Sequence, residues 1–199
     1  MKALATFLVL VAFWNTSYAE DSLASGGKSP DGRYEVRIYE TGTSDDPSNY
    51  SYGVFDTTKG KLIAKLNEGG GFCDYQGTIE MTKVLWNSTG DAFALVDHGT
   101  RHSMDLYVNV IRGSGVRQIQ VPDYLKDGLS LVGATEDYLT SVVTLLGWKG
   151  NSLTCAFTFD AMMNAGRSPF YDTKFTITIK HGKEETARIV SMDRPQAEE

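Results

Sequence analysis

Ser29-Pro30-Asp31-Gly32 runs directly into Tyr34-Glu35-Val36-Arg37-Ile38, a polar turn feeding a strand whose apolar and charged residues alternate. The phrase returns as Trp86-Asn87-Ser88-Thr89-Gly90-Asp91 before Ala92-Phe93-Ala94-Leu95-Val96. A weaker form, Trp148-Lys149-Gly150-Asn151-Ser152, precedes Leu153-Thr154-Cys155-Ala156-Phe157. Reuse of one turn-strand phrase implies a fold assembled from similar antiparallel units.

Working outward, Tyr34, Val36 and Ile38 share one face and Glu35 and Arg37 the other, the period of a half-buried strand. With Tyr52–Asp56, a glycine turn at Gly60 and Lys61–Leu66, they predict a three-stranded first unit over 28–66, after a loose lead, Ser22–Lys28. The second unit, 78–121, reads as four strands: Thr78–Trp86, Ala92–Asp97, the alternating Leu106-Val108-Val110 segment and Val116–Val121. Pro122 and Asp123 suit a helix start and Gly133 a stop, with Gly128 an interior weakness. The third unit, 141–192, holds the cleanest alternation in the chain, Phe175, Ile177 and Ile179 against Thr176, Thr178 and Lys180. Residues 193–199 read as a flexible tail. The expected class is mainly β: about eleven strands in antiparallel meanders, three units and one short helix between the second and third.

The repeated phrase resembles the blades of β-propellers in which a Ser-Pro-Asp-Gly turn joins the first two strands of a blade. Ser29–Gly32 matches fully, Trp86–Asp91 in its tryptophan, serine and glycine, and Trp148–Leu153 in little beyond the tryptophan. The resemblance implies an open or partial propeller, since closed ones carry four to eight blades. A β-sandwich, an irregular barrel, or closure against a second copy are the alternatives, because exposed sheet edges must be covered.

Residues 1–19 read as a secretory signal: Lys2, an apolar run from Ala3 to Phe13, and small residues at Ser17 and Ala19 before the expected cut. The run is shorter than the roughly 20 apolar residues a spanning helix needs, and nothing later approaches that length. The rest, 20–192, is expected to form one secreted or periplasmic domain, large enough to hold a core unaided. A net charge of −6 and a pI near 5.1 offer no general attraction for nucleic acid or anionic membranes. Cys73 and Cys155 form a possible disulfide in an oxidising compartment, or Cys155 is a buried free thiol within an apolar strand.

Chemistry-bearing patterns are sparse. Gly26-Gly27-Lys28-Ser29 ends like a phosphate loop, but Pro30 and Asp31 lead to a turn where that motif needs a helix. Gly113-Ser114-Gly115 is not a nucleophile elbow. Asn49-Tyr50-Ser51 and Asn87-Ser88-Thr89 fit the N-glycosylation pattern. Tyr39, Tyr50, Tyr52, Tyr107, Tyr124, Tyr138 and Tyr171 are candidates for a sugar-stacking or peptide-binding surface, although tyrosine also favours half-buried sheet positions. The richest polar cluster is His98, Arg101, His102 and Asp105, where imidazoles titrating near neutral pH could ligate a metal or exchange protons. No catalytic, cofactor or metal constellation is otherwise visible. The expected function is a non-enzymatic module binding a protein or glycan, without cofactor, and with a homo-oligomer as one way to close the sheet. The rival is a hydrolase or metal-dependent enzyme using the 98–105 loop.

Overall fold

The computed structural model describes residues 21–40, 49–70, 80–98, 103–134, 140–160, 170–180 and 185–197. Residues 1–19, expected to be a signal, Cys73 and Tyr138 lie outside them.

The opening turn joins β1 (Asp21–Lys28) to β2 (Tyr34–Glu40). Ser29 Oγ donates to Asp31 Oδ1 at 2.7 Å and accepts from the Tyr34 amide at 2.9 Å, while Gly32 takes φ +71°. The second phrase folds the same way: Asn87 replaces Ser29, its Oδ1 accepting from the Ala92 amide, and Gly90 again takes φ +71°. The third does not. Lys149 pairs directly with Ser152, leaving a two-residue hairpin over Gly150 and Asn151 with no side-chain brace of that kind.

The strands β3 (Asn49–Asp56), β4 (Lys61–Gly70), β5 (Lys83–Trp86), β6 (Ala92–His98), β7 (Met104–Arg112) and β8 (Gly115–Ile119) complete one eight-stranded sheet ordered β4-β3-β2-β1-β5-β6-β7-β8. Its end strands β4 and β8 approach each other, so the sheet is a nearly closed barrel. The first two units are therefore not separate blades. The lead read as loose is β1, which makes the first unit four-stranded and pairs in parallel with β5 through Ser25 and Lys83. The second sheet holds β9 (Ser141–Lys149), β10 (Ser152–Asp160), β11 (Phe170–Lys180) and β12 (Thr186–Met192), and β13 (Gln196–Ala197), within the expected tail, pairs with Tyr171 and Asp172.

Because β1 and β5 are parallel and the strand order runs outward from them in both directions, the two meanders are related by an axis lying in the sheet along the strands. Such an axis exchanges the faces of the sheet. Tyr34, Val36 and Ile38 point into the barrel, whereas their counterparts Ala92, Ala94 and Val96 point out of it, against the second sheet. Phe93 and Leu95 fill the barrel instead, where the first meander places Glu35 and Arg37 toward solvent. A strand covered on both faces needs a continuous apolar run, and Ala92–Val96 is one.

Two cores result. One fills the barrel, and the other lies between the outer face of β6 and β7 and the inner face of the second sheet, centred on Phe157, Phe159, Phe175 and Ile177. Both tryptophans of the repeated phrase fasten β5. Trp86 Nε1 donates to the Gly27 carbonyl at 3.1 Å and Trp148 Nε1 to that of Leu85 at 3.0 Å.

The helix α1 (Tyr124–Val132) is capped as its sequence predicts. Asp123 accepts from the Lys126 amide and Gly133 closes the end in the left-handed region. Gly128 is there for proximity: a β-carbon on it would stand 3.2 Å from the Phe159 ring.

At the end of the β3–β4 hairpin, the buried Asp56 carboxylate accepts from Thr58 Oγ1 at 2.5 Å and lies 3.1 Å from Lys59 Nζ. The Thr58 hydrogen bond, with Lys59, pulls its pKa down to about 2 against the opposing effect of burial. An unfolded aspartate titrates near ~3.9. The stability Asp56 supplies is thus complete above that value and lost as pH falls through about 2. Urea titrations of the parent and Asp56→Asn should differ most near pH 6 and converge toward pH 2. A gap independent of pH would refute this assignment.

Candidate functional site

Strand ends divide the molecule into two poles. At one, the hairpins after β1, β3, β5 and β7 close in tight turns. At the other lie the ends flanking 41–48, 71–79 and 99–102, and the Ser103–Ser141 bridge brings the start of β9 there too. Asp160, beside Ser141 and bonded to the Thr140 amide, adds the flanks of 135–139 and 161–169.

The barrel interior at this second pole is polar. Tyr50 donates to Asp97 Oδ1 at 3.3 Å, and the Tyr52 and Thr82 hydroxyls lie 3.0 Å apart. Burial, then the Asp97 charge, raises the Tyr52 pKa well above the ordinary phenol value. Deeper in, Asn109 is buried with neither amide atom partnered among the described residues, a setting that suits an internal water.

The predicted 98–105 cluster falls here, and it is only partly described. The His98 backbone pairs with Met104 at the end of β6, while the His98 side chain, Arg101 and His102 lie outside the described residues. Asp105 is exposed, directly across from Asp97, and accepts from the Tyr107 hydroxyl at 3.3 Å. Among the described residues no three His, Cys, Asp or Glu side chains are placed to hold a metal.

Other sequence candidates are absorbed by the fold. Cys155 is a fully buried free thiol whose pKa burial pushes up to about 12. Gly26–Ser29 forms the end of β1 and a turn, and Gly113-Ser114-Gly115 the β7–β8 hairpin. Asn87 cannot serve as a glycosylation acceptor in the folded chain, because its side chain is buried and its amide nitrogen donates to Asp91 at 2.7 Å. Tyr50 and Tyr52 are buried, and Tyr39, Tyr107, Tyr124 and Tyr171 are half-buried, so these tyrosines do not form an exposed platform.

An open site appears instead on the outer face of the second sheet. Between β11 and the segment leading into β13 runs a groove of about 410 Å³, lined by Ala156, Asp172, Thr173, Lys174, Asp193, Arg194 and Gln196. Thr173 Oγ1 donates to the Asp193 carbonyl at 2.6 Å and the Asp193 amide to that of Lys174 at 2.8 Å, fixing one wall to the other. Lys174 and Arg194 are exposed and form no ion pair among the described residues. A pocket of this size holds a small ligand or a short stretch of a polymer. No sequence motif marked it, although Lys174 and Lys180 sit on the polar side of the most regular strand.

No family, curated protein or solved structure matches this chain significantly.

Proposed function

We propose that this protein is a secreted or periplasmic, non-enzymatic β module that binds a glycan in the groove beside β11. The groove carries the reading: small residues at Ala156 and Thr173 beside the exposed side chains of Lys174, Arg194, Asp172 and Asp193, with Gln196 Nε2 already donating to the Arg194 carbonyl at 3.1 Å, suit a ligand rich in hydroxyls. In this reading the two four-stranded meanders are repeats joined edge to edge within one barrel-like sheet, and the propeller resemblance of their turns brings no site with it. The rival enzyme rests on the 98–105 loop, where of the four candidates His98, Arg101, His102 and Asp105 only Asp105 has a described side chain.

Presenting the mature chain to a glycan array should give retention that Lys174→Ala with Arg194→Ala reduces severalfold at unchanged melting temperature. Retention unaffected by the double substitution would remove the groove from the function. An array without any signal, together with capture of a protein through the same face, would convert the module from a glycan binder to a protein binder.

A further inference from the structure

On a chain of net charge −6, the described residues of the outer face of the second sheet have the opposite sign. Lys149 on β9, Lys174 and Lys180 on β11, Arg188 on β12 and Arg194 beyond it are all exposed, and none joins an ion pair among the described residues. Two exposed carboxylates share the face, Asp172 and Asp193, and Asp172 already accepts from Thr158. Lysines and arginines are usually neutralised by scattered acids on such a surface; here they are left available.

Register shows how they are arranged. Lys149, Ser152, Thr178 and Arg188 form one row across four strands, so the two cations stand about 14 Å apart. Lys174 lies six residues along β11 from Lys180, about 20 Å away. Between these cations the rows are hydroxyl-bearing: Ser152 pairs with Thr178 at 2.8 Å and Thr154 with Thr176 at 3.2 Å. Phe170, 42% exposed, ends the same face of β11 near the groove.

We infer that this face binds an acidic polysaccharide, a chain of uronic acids laid from the groove toward Arg188. The inference rests on the glycan reading above and adds the charge of the ligand. Carboxylates spaced along such a polymer meet Lys174, Arg194, Lys180 and Arg188, while Lys149, two strands away, adds positive charge to the same face. The polymer's hydroxyls meet the serine and threonine rows, and Phe170 offers a ring for a sugar face. Nucleic acid is the poorer fit. A single-stranded backbone calls for a series of stacking aromatics, and among the described residues this face has one.

Polygalacturonate is the probe, measured by calorimetry or interferometry against its fully methyl-esterified form, an oligothymidylate and vesicles containing phosphatidylglycerol. Polygalacturonate should bind, weaken steeply with added salt, and lose about tenfold on combined Lys149→Ala, Lys174→Ala, Lys180→Ala and Arg188→Ala substitution. Lys61→Ala, on the barrel, should leave binding unchanged, and melting temperatures report that each variant is folded. Equal affinity for the esterified polymer would overturn the acidic ligand while leaving the glycan module intact. Tighter binding of the oligothymidylate or of the vesicles would replace it with nucleic acid or a lipid surface. Failure of both polymers together with a silent array would end both readings.

Discussion

Gly26→Ala should destabilise the protein by about 3 kcal/mol or more, because two separate penalties meet at this position. Gly26 adopts φ +74°, where a β-carbon costs about 1 kcal/mol. A β-carbon there would also lie 2.1 Å from the Val84 carbonyl oxygen, a backbone atom of the neighbouring strand that cannot turn aside. Gly60 separates the two effects: it has φ +60° with nothing within 4 Å, so Gly60→Ala carries the conformational penalty alone. In a domain of this size, about 1 kcal/mol moves the melting temperature by about 2–4 °C. Gly26→Ala should therefore fall by about 6–12 °C or more and Gly60→Ala by a few degrees, read by circular dichroism. Equal shifts would mean that β1 and β5 are not held at the separation seen here.

Phe157→Ala should cost about 3–5 kcal/mol, the range for removing a buried aromatic ring. Phe157 is 1% exposed, stacks on Phe159 with ring centres 4.9 Å apart, and meets Tyr124 and Phe175 edge-on at 5.1 and 6.1 Å. Gly128 brings α1 close above the pair, so the helix backbone cannot collapse far into the vacated space. Phe157→Leu retains most of the volume and should cost about 1.5 kcal/mol. Denaturant titration distinguishes them. A cost below about 1 kcal/mol for Phe157→Ala would show that the second core is not closed around this ring.

Local chemistry made part of the fold legible. Ser29 and Asp31 brace their turn from within six residues, Asp123 and Gly133 bound the helix, and Phe175, Ile177 and Ile179 mark a strand by alternation. Less visible were features fixed by distant partners. Ser22–Lys28 has the small residues of a loose lead, yet those glycines allow the close approach that pairs β1 with β5. Nothing in either segment announces the other, so fusion of two units into one sheet could not be read. Asn87 illustrates a smaller lapse: it stands in place of Ser29, an equivalence apparent only when both side chains are seen bonding the strand that follows. The cationic face was hidden because its charges come from three strands and the segment beyond, each unremarkable in its own stretch, whereas the cluster that drew attention, His98 to Asp105, was conspicuous by proximity in sequence.

The axis between β1 and β5 has a further consequence for how the chain can be divided. A second meander laid beside the first by that axis turns its apolar side, Ala92, Ala94, Val96, Leu106, Val108 and Val110, away from the barrel. Ending the chain before β9 would leave an oily wall facing water, whereas the matching side of the first meander mixes Glu35 and Arg37 with Phe55 and Leu62, the Arg37 guanidinium lying over the Phe55 ring. The third unit is thus the cover that the second one obliges the molecule to carry, and its own outward surface is free to serve a ligand because its inward surface is wholly committed to that task.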